Sequence, residues 1–173
     1  MIVGIGDSNL EFGNHGWAEG FGRLTAFRSL VSFPGGSSRD VLRALRGMPP
    51  DVIADLAPSS VPILVTLGIN DMLQGIGPIE FARNHRDIMR LVEAAGGPRS
   101  WIWMPSHVTG HWKLEVLRTV LCLYAIWRRA QFVNLRAYRD LTIYRFPDDP
   151  FHLQRSSYVQ IARRVMQDMQ GQD

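Results

Sequence analysis

Four short stretches carry side chains whose types and spacing suit one reaction: Gly6-Asp7-Ser8, Gly35-Gly36, Gly68-Ile69-Asn70-Asp71 and Asp149-Pro150-Phe151-His152. The reaction is acyl transfer. A serine hydroxyl is a poor nucleophile until a histidine takes its proton, and the histidine needs a carboxylate to fix its tautomer. Ser8 supplies a hydroxyl, His152 a base and Asp149 a carboxylate. On a turn, or the first turn of a helix, residues three apart fall on one side. Pro150 biases Asp149 toward an extended backbone. The negative oxygen of a tetrahedral intermediate needs donors placed where its charge develops. The N–H of Ser8, the N–H of Gly35 and the side-chain amide of Asn70 are the candidates, and a glycine lets the backbone approach a ligand closely. Taken alone, Asp7-Ser8-Asn9 reads as a polar turn; the other three stretches give Ser8 its chemistry.

The elements between these stretches explain how they would meet. Met1 to Gly6 is a short apolar run bounded by glycine, the pattern of a buried strand in a parallel sheet. Ser29–Phe33, Val61–Leu67, Trp101–Met104 and Gln131–Leu135 read as four more strands. Between them fall a helix from Trp17 through about Phe27, one capped by Ser37 or Ser38, a short one over Asp51–Leu56, one from Pro78 to about Ala95, and an apolar one over Leu114–Arg129. A polar loop spans Ser106 to His111 and another runs to Pro150. Ser156–Met169 is a last amphipathic helix with Tyr158, Ile161, Ala162, Val165 and Met169 on one face. Alternating strands and helices predict an α/β fold: a three-layer α/β/α sandwich on a five-stranded parallel sheet of flavodoxin-like order 2-1-3-4-5. Ligands of such sheets bind at the carboxyl ends of the strands; three of the stretches lie at strand ends, the fourth lies between the fifth strand and the last helix, and all four are expected to gather at that edge.

Bulk properties narrow the class. A length of 173 residues suits a single domain over 1–173. The content, 46% hydrophobic and 20% charged, is that of an ordinary globular protein. Nineteen basic against sixteen acidic residues leave a net charge of +3. The arginines are scattered rather than clustered, which argues against a nucleic-acid partner. Cys122 is the only cysteine, so no intrachain disulfide forms. No leader precedes the first strand, which predicts a cytoplasmic location. The longest apolar run, Val116 to Trp127, is too short to span a bilayer. The Leu114–Trp127 stretch is apolar on more than one face, as expected of a deeply buried helix or an oligomer contact.

In this order and over nearly the whole chain, Gly6-Asp7-Ser8, Gly35, Gly68-x-Asn70-Asp71 and Asp149-x-x-His152 resemble the four sequence blocks of the SGNH hydrolases, also called GDSL esterases and lipases. The flanks agree: Gly35 is followed by Gly-Ser-Ser-x-Asp-Val-Leu, and His152 by Leu153, then Tyr158, Ile161 and Ala162. The resemblance implies Ser8 as nucleophile, His152 as general base and then acid, and Asp149 as orienting carboxylate. It implies the Ser8 amide, Gly35 and Asn70 as oxyanion hole, and no metal or organic cofactor. Spacing to Leu42 selects Gly35 over Gly36. One departure stands beside the nucleophile: the family often has glycine four residues after the serine, where this chain has Phe12.

The expected function is a serine esterase acting on short-acyl carboxylic esters through an acyl-enzyme, acetyl esters first, of a small molecule or a carbohydrate, including cell-wall polymer. A lysophospholipase or thioesterase of the same fold is the nearest alternative. A non-catalytic binding domain that keeps the fold is a second class, and a metal site built from Asp7, Asp71, Asp149 and His152 a third. His107 and His111 border the cleft as substrate contacts or plain surface. His15 and His85 read as surface or helix-packing residues.

Overall fold

The computed structural model describes residues 1–10, 16–105, 108, 110–135, 138, 145–146 and 149–170. Five parallel strands form the centre: β1 (Ile2–Asp7), β2 (Phe27–Phe33), β3 (Ile63–Thr66), β4 (Trp101–Trp103) and β5 (Gln131–Phe132). Their order is β2-β1-β3-β4-β5, as the sequence predicts. β1 lies in the middle of the sheet's first half, with Asp7 beside Phe33 of β2 and Gly6 beside Thr66 of β3. Every residue of β1 and β3 is buried, which explains why both read as continuous apolar runs.

Helices cover both faces, and the strands' alternation decides which side chain meets which helix. Val3, Ile5, Ile63, Val65, Trp101 and Trp103 form one core with α2 (Ser38–Gly47), α3 (Pro50–Leu56), α5 (Pro78–Ala94) and Ala125 of α6 (Trp112–Arg128). Ile2, Leu64 and Ile102 point the other way, into a core with α1 (Trp17–Gly22) and α7 (Arg155–Gln170). The layers are therefore α/β/α.

Two expectations need correction. The first helix stops at Gly22 rather than Phe27, and Phe27 instead opens β2. From there its ring stacks on Phe21, with centroids 6.3 Å apart. Gly20, which weakens the helical pattern, is a close-packing position: a Cβ there would lie 2.7 Å from the Tyr158 carbonyl oxygen, so α1 and α7 touch through it. Gly68 leads directly into a short helix, α4 (Ile69–Leu73), which carries Asn70 and Asp71. The segment before α7, expected as loop, holds an antiparallel pair, β6 (Arg145–Phe146) with β7 (Asp149–Leu153). Asp149 and His152 thus lie on a short strand rather than a turn or a first helical turn.

Candidate active site

Ser8 follows β1 directly, in a turn that the Leu10 N–H closes onto the Asp7 carbonyl at 2.9 Å. β7 brings His152 to it from the far end of the chain. His152 Nδ1 lies 2.6 Å from Asp149 Oδ2, and His152 Nε2 lies 2.9 Å from Ser8 Oγ. A carboxylate only accepts, so Nδ1–H donates to Asp149 and the neutral ring keeps its lone pair on Nε2, where Ser8 Oγ–H donates. The His152 N–H also donates to Asp149 Oδ1 at 3.2 Å. That second bond brings two residues of one strand, three apart, onto the same side, which plain strand alternation would not do. Ser8, Asp149 and His152 are each partly exposed.

The donors gather at the same sheet edge. Gly35 lies two residues beyond the Asp7–Phe33 pair, and Asn70 four beyond the Gly6–Thr66 pair. The Gly36 N–H is taken by the Phe33 carbonyl at 2.9 Å, and Gly36 is buried. Gly35 is exposed, and no described residue accepts from its N–H. Its φ of +73° is a conformation that favours glycine. The Ser8 N–H and the Asn70 amide likewise meet no acceptor among the described residues. Gln74, just after α4, holds the Gly35 loop by donating from Nε2 to the Gly35 carbonyl at 3.1 Å. The Ser37 N–H and Oγ both donate to Asp40, at 2.9 and 2.8 Å, which fixes the start of α2 just after Gly35.

Two buried networks, which motif spacing does not reveal, stand behind these groups. In the first, the Asp7 carboxyl accepts from the Asn9 N–H at 2.9 Å and the Asn9 side-chain amide at 3.3 Å. Asn9 Oδ1 accepts from the Tyr158 hydroxyl at 3.0 Å, and that hydroxyl accepts from the Leu153 N–H at 3.2 Å. The chain of bonds runs from one neighbour of Ser8 to the neighbour of His152. Periodicity had marked Tyr158 as a core residue, which it is at 1% exposure; its hydroxyl is the missed signal. In the second, Asp71 accepts from the Ser38 N–H at 3.1 Å and from Ser38 Oγ, which in turn accepts from Asn84 at 2.9 Å. This network ties α2 and α5 to α4, and so to Asn70.

Burial dominates the electrostatics. It pushes the Asp7 carboxyl up to about 7 and the Asp71 carboxyl up to about 6, against the hydrogen bonds that lower both. Burial likewise raises the Tyr158 hydroxyl above its ordinary range. Among the described residues, no three His, Cys, Asp or Glu side chains converge as a metal site. Asp7 and Asp71 each belong to a network of their own. His111 is exposed, at the start of α6. His85 is a packing residue: it is buried, its Nδ1–H donates to the Phe81 carbonyl at 2.9 Å, and it is pushed down to about 4 by its burial. His15, His107 and Phe12 lie outside the described residues.

Two hollows lie near these elements; none of Ser8, Gly35, Asn70, Asp149 and His152 lines the first, and Gly35 lines the second. On the β3–β4 side, Met72, Ile76, Pro78, Trp112, Val116 and Leu117 enclose an apolar cavity of ≈ 200 Å³ between α4 and α6. On the β2 side, Phe33, Gly35, Asp40 and Arg43 line an open depression of ≈ 450 Å³.

No protein-family model matches the sequence, and neither does any curated protein. Solved structures do match. A member of the lipolytic protein G-D-S-L family from Veillonella parvula superposes with a TM-score of 0.72 at 15% identity, covering 96% of each chain. TesA gives 0.71 at 18% identity, covering 95% of each. The psychrotrophic esterase EstA from Pseudoalteromonas sp., in a structure inhibited by monoethylphosphonate, gives 0.66 at 18% identity, covering 96% of this chain and 94% of its own. Sheet order, layers and these superpositions agree: the chain has the fold of the SGNH/GDSL hydrolases.

Proposed function

We propose that this chain is a serine esterase that cleaves carboxylic esters through an acyl-enzyme. The observation that carries the reading is the chain of hydrogen bonds from Asp149 through His152 to Ser8, 2.6 and 2.9 Å long. Ser8 Oγ attacks the ester carbonyl carbon while His152 Nε2 takes its proton. Asp149 keeps Nδ1 protonated and stabilises the imidazolium. The carbonyl oxygen, now negative, receives the N–H groups of Ser8 and Gly35 and the Asn70 amide. Collapse breaks the bond to the alcohol, which leaves with the proton from His152. Water then adds to the acyl carbon with His152 again as base, and the acid departs. No step draws on a metal or an organic cofactor.

The alcohol of the ester faces the open depression that Gly35 lines. Asp40 and Arg43 suit a polar alcohol there, such as a carbohydrate hydroxyl. Short acyl groups, acetyl first, are the proposed substrates. A second reading is a longer-chain ester or thioester of the lysophospholipase or thioesterase kind; what favours it is that α4, which carries Asn70, also carries Met72 of the apolar cavity. Hydrolysis of p-nitrophenyl esters of increasing chain length decides between them, with Ser8→Ala as control. A rate highest for acetyl supports the first reading and one rising with chain length the second. A rate unaffected by Ser8→Ala overturns both, and loss of activity on EDTA treatment contradicts the metal-free mechanism.

A further inference from the structure

The helix α6 presents a second apolar face that the fold leaves uncovered. Leu114, Leu117, Leu121 and Ala125 point inward and are buried. On the opposite side, Trp112, Val116, Thr119, Leu123 and Ile126 follow one another at steps of four, three, four and three, the spacing of a coiled-coil seam. Leu123 is 63% exposed, Ile126 68%, and the flanking Trp127 70%. Thr119, the one polar member, spends its hydroxyl on the Glu115 carbonyl at 2.9 Å and so offers the seam its methyl group.

We propose that a second copy of this chain covers this face, α6 packing against α6 in antiparallel fashion about a two-fold axis near Leu121 and Cys122. Self-complementarity selects that occupant and that direction. An antiparallel seam sets Val116 against the partner's Ile126, and Thr119 against the partner's Leu123. It brings Lys113 to the partner's Trp127, a cation over an aromatic face. It brings Glu115, already tied to Arg118 within its own chain, to the partner's Arg129. A parallel seam would instead set Glu115 against Val120 and pair no opposite charges. Two-fold pairing doubles each of these contacts. The area also suffices: with about 150–250 Å² for a large aromatic, the face comes to about 600 Å² per copy, and so to the lower end of specific interfaces, about 1,200 Å² in total.

The test uses the chain's single cysteine as reporter. In an antiparallel pair, Cys122 lies beside the partner's Cys122 across the axis. Analytical ultracentrifugation of the wild type is expected to give twice the 19.6 kDa of the chain, and a short bismaleimide to join two chains. Leu123→Glu with Ile126→Glu is expected to give 19.6 kDa and no crosslink, with a melt that stays cooperative because both side chains are exposed in the single chain and that no longer depends on protein concentration. Cys122→Ser keeps the dimer and loses the crosslink. A monomeric wild type overturns the proposal, as does a monomer that instead sediments with anionic vesicles. A dimer that survives the double substitution overturns the seam. A dimer that Cys122 fails to crosslink overturns the antiparallel arrangement.

Discussion

The Tyr158 hydroxyl donates to Asn9 Oδ1 at 3.0 Å and accepts from the Leu153 N–H at 3.2 Å. One bond reaches the residue after Ser8 and the other the residue after His152. Tyr158 therefore sets the two halves of the candidate site, 144 residues apart in sequence, at their working separation. Its ring is held independently, edge-on to Trp17 with centroids 4.6 Å apart.

Tyr158→Phe separates these two contributions. The ring stays and the hydroxyl goes, leaving Asn9 Oδ1 and the Leu153 N–H short of a partner. The expected cost is about 1–3 kcal/mol of stability. Turnover is expected to fall by about tenfold or more because the Ser8–His152 separation is no longer fixed. Urea unfolding and steady-state kinetics check both. A variant that loses stability but keeps kcat would show that Tyr158 serves packing alone.

Asn70→Ala removes a donor and leaves the fold's networks intact, since Asp71, not Asn70, joins α4 to α2. The rate is expected to fall by about 10²–10³ through kcat with KM little changed, the mark of a group that acts on the transition state. An equal loss in KM and kcat/KM would assign Asn70 to substrate binding instead.

The neighbouring glycines are expected to respond differently to alanine. At Gly36 a Cβ would lie 2.6 Å from Phe33 Cβ, so Gly36→Ala displaces Phe33 and lowers the melting temperature. At Gly35 the space is open, but the φ of +73° strains an alanine by about 1–2 kcal/mol. Gly35→Ala is expected to shift the peptide beside Ser8 and to reduce kcat more than stability. Thermal melts and kinetics on both variants test the assignment of the donor to Gly35.

Asp7 gives a pH dependence of known sign. Its carboxyl sits at about 7 in the folded chain, above the 3.8 of a free aspartate. Between those values the folded state binds the extra proton, so the contribution is fully present below about pH 4 and is lost as pH rises through 7. Asp71, raised to about 6, acts in the same direction. His85, lowered from 6.5 to about 4, acts in the opposite one: its contribution is lost as pH falls through that window. Asp7→Asn is therefore expected to gain stability relative to the wild type as pH rises from 5 to 8. Urea unfolding across that range measures the difference, and a constant difference would contradict a protonated Asp7.

The sheet order and the three strand-end stretches were legible because they depend on local signals. Apolar runs such as Ile2–Gly6 and Ile63–Thr66, punctuated by glycine and proline, mark buried strands and their ends. The first helix was drawn too long because Phe27 fits a helical period as well as it fits the start of β2, and only its stacking on Phe21 decides. The short strand carrying Asp149 and His152 was not legible, since its partner Arg145–Phe146 is two residues of unremarkable type. The role of the Tyr158 hydroxyl was hidden for a different reason: an apolar face predicts where a ring goes, not what its oxygen meets 149 residues away. The second apolar face of α6 was legible, but the choice between a buried helix and an oligomer contact was not, since only the fold shows which side is covered.

The central claim is that Ser8 is the nucleophile, activated by His152. Covalent trapping tests it most directly. Incubation with an alkyl p-nitrophenyl phosphonate, followed by peptide mass spectrometry, is expected to place one phosphonyl group per chain on Ser8, with activity lost in proportion. His152→Ala is expected to slow the labelling by several orders of magnitude. Labelling elsewhere, or full activity remaining in a chain whose Ser8 is blocked, would contradict the account.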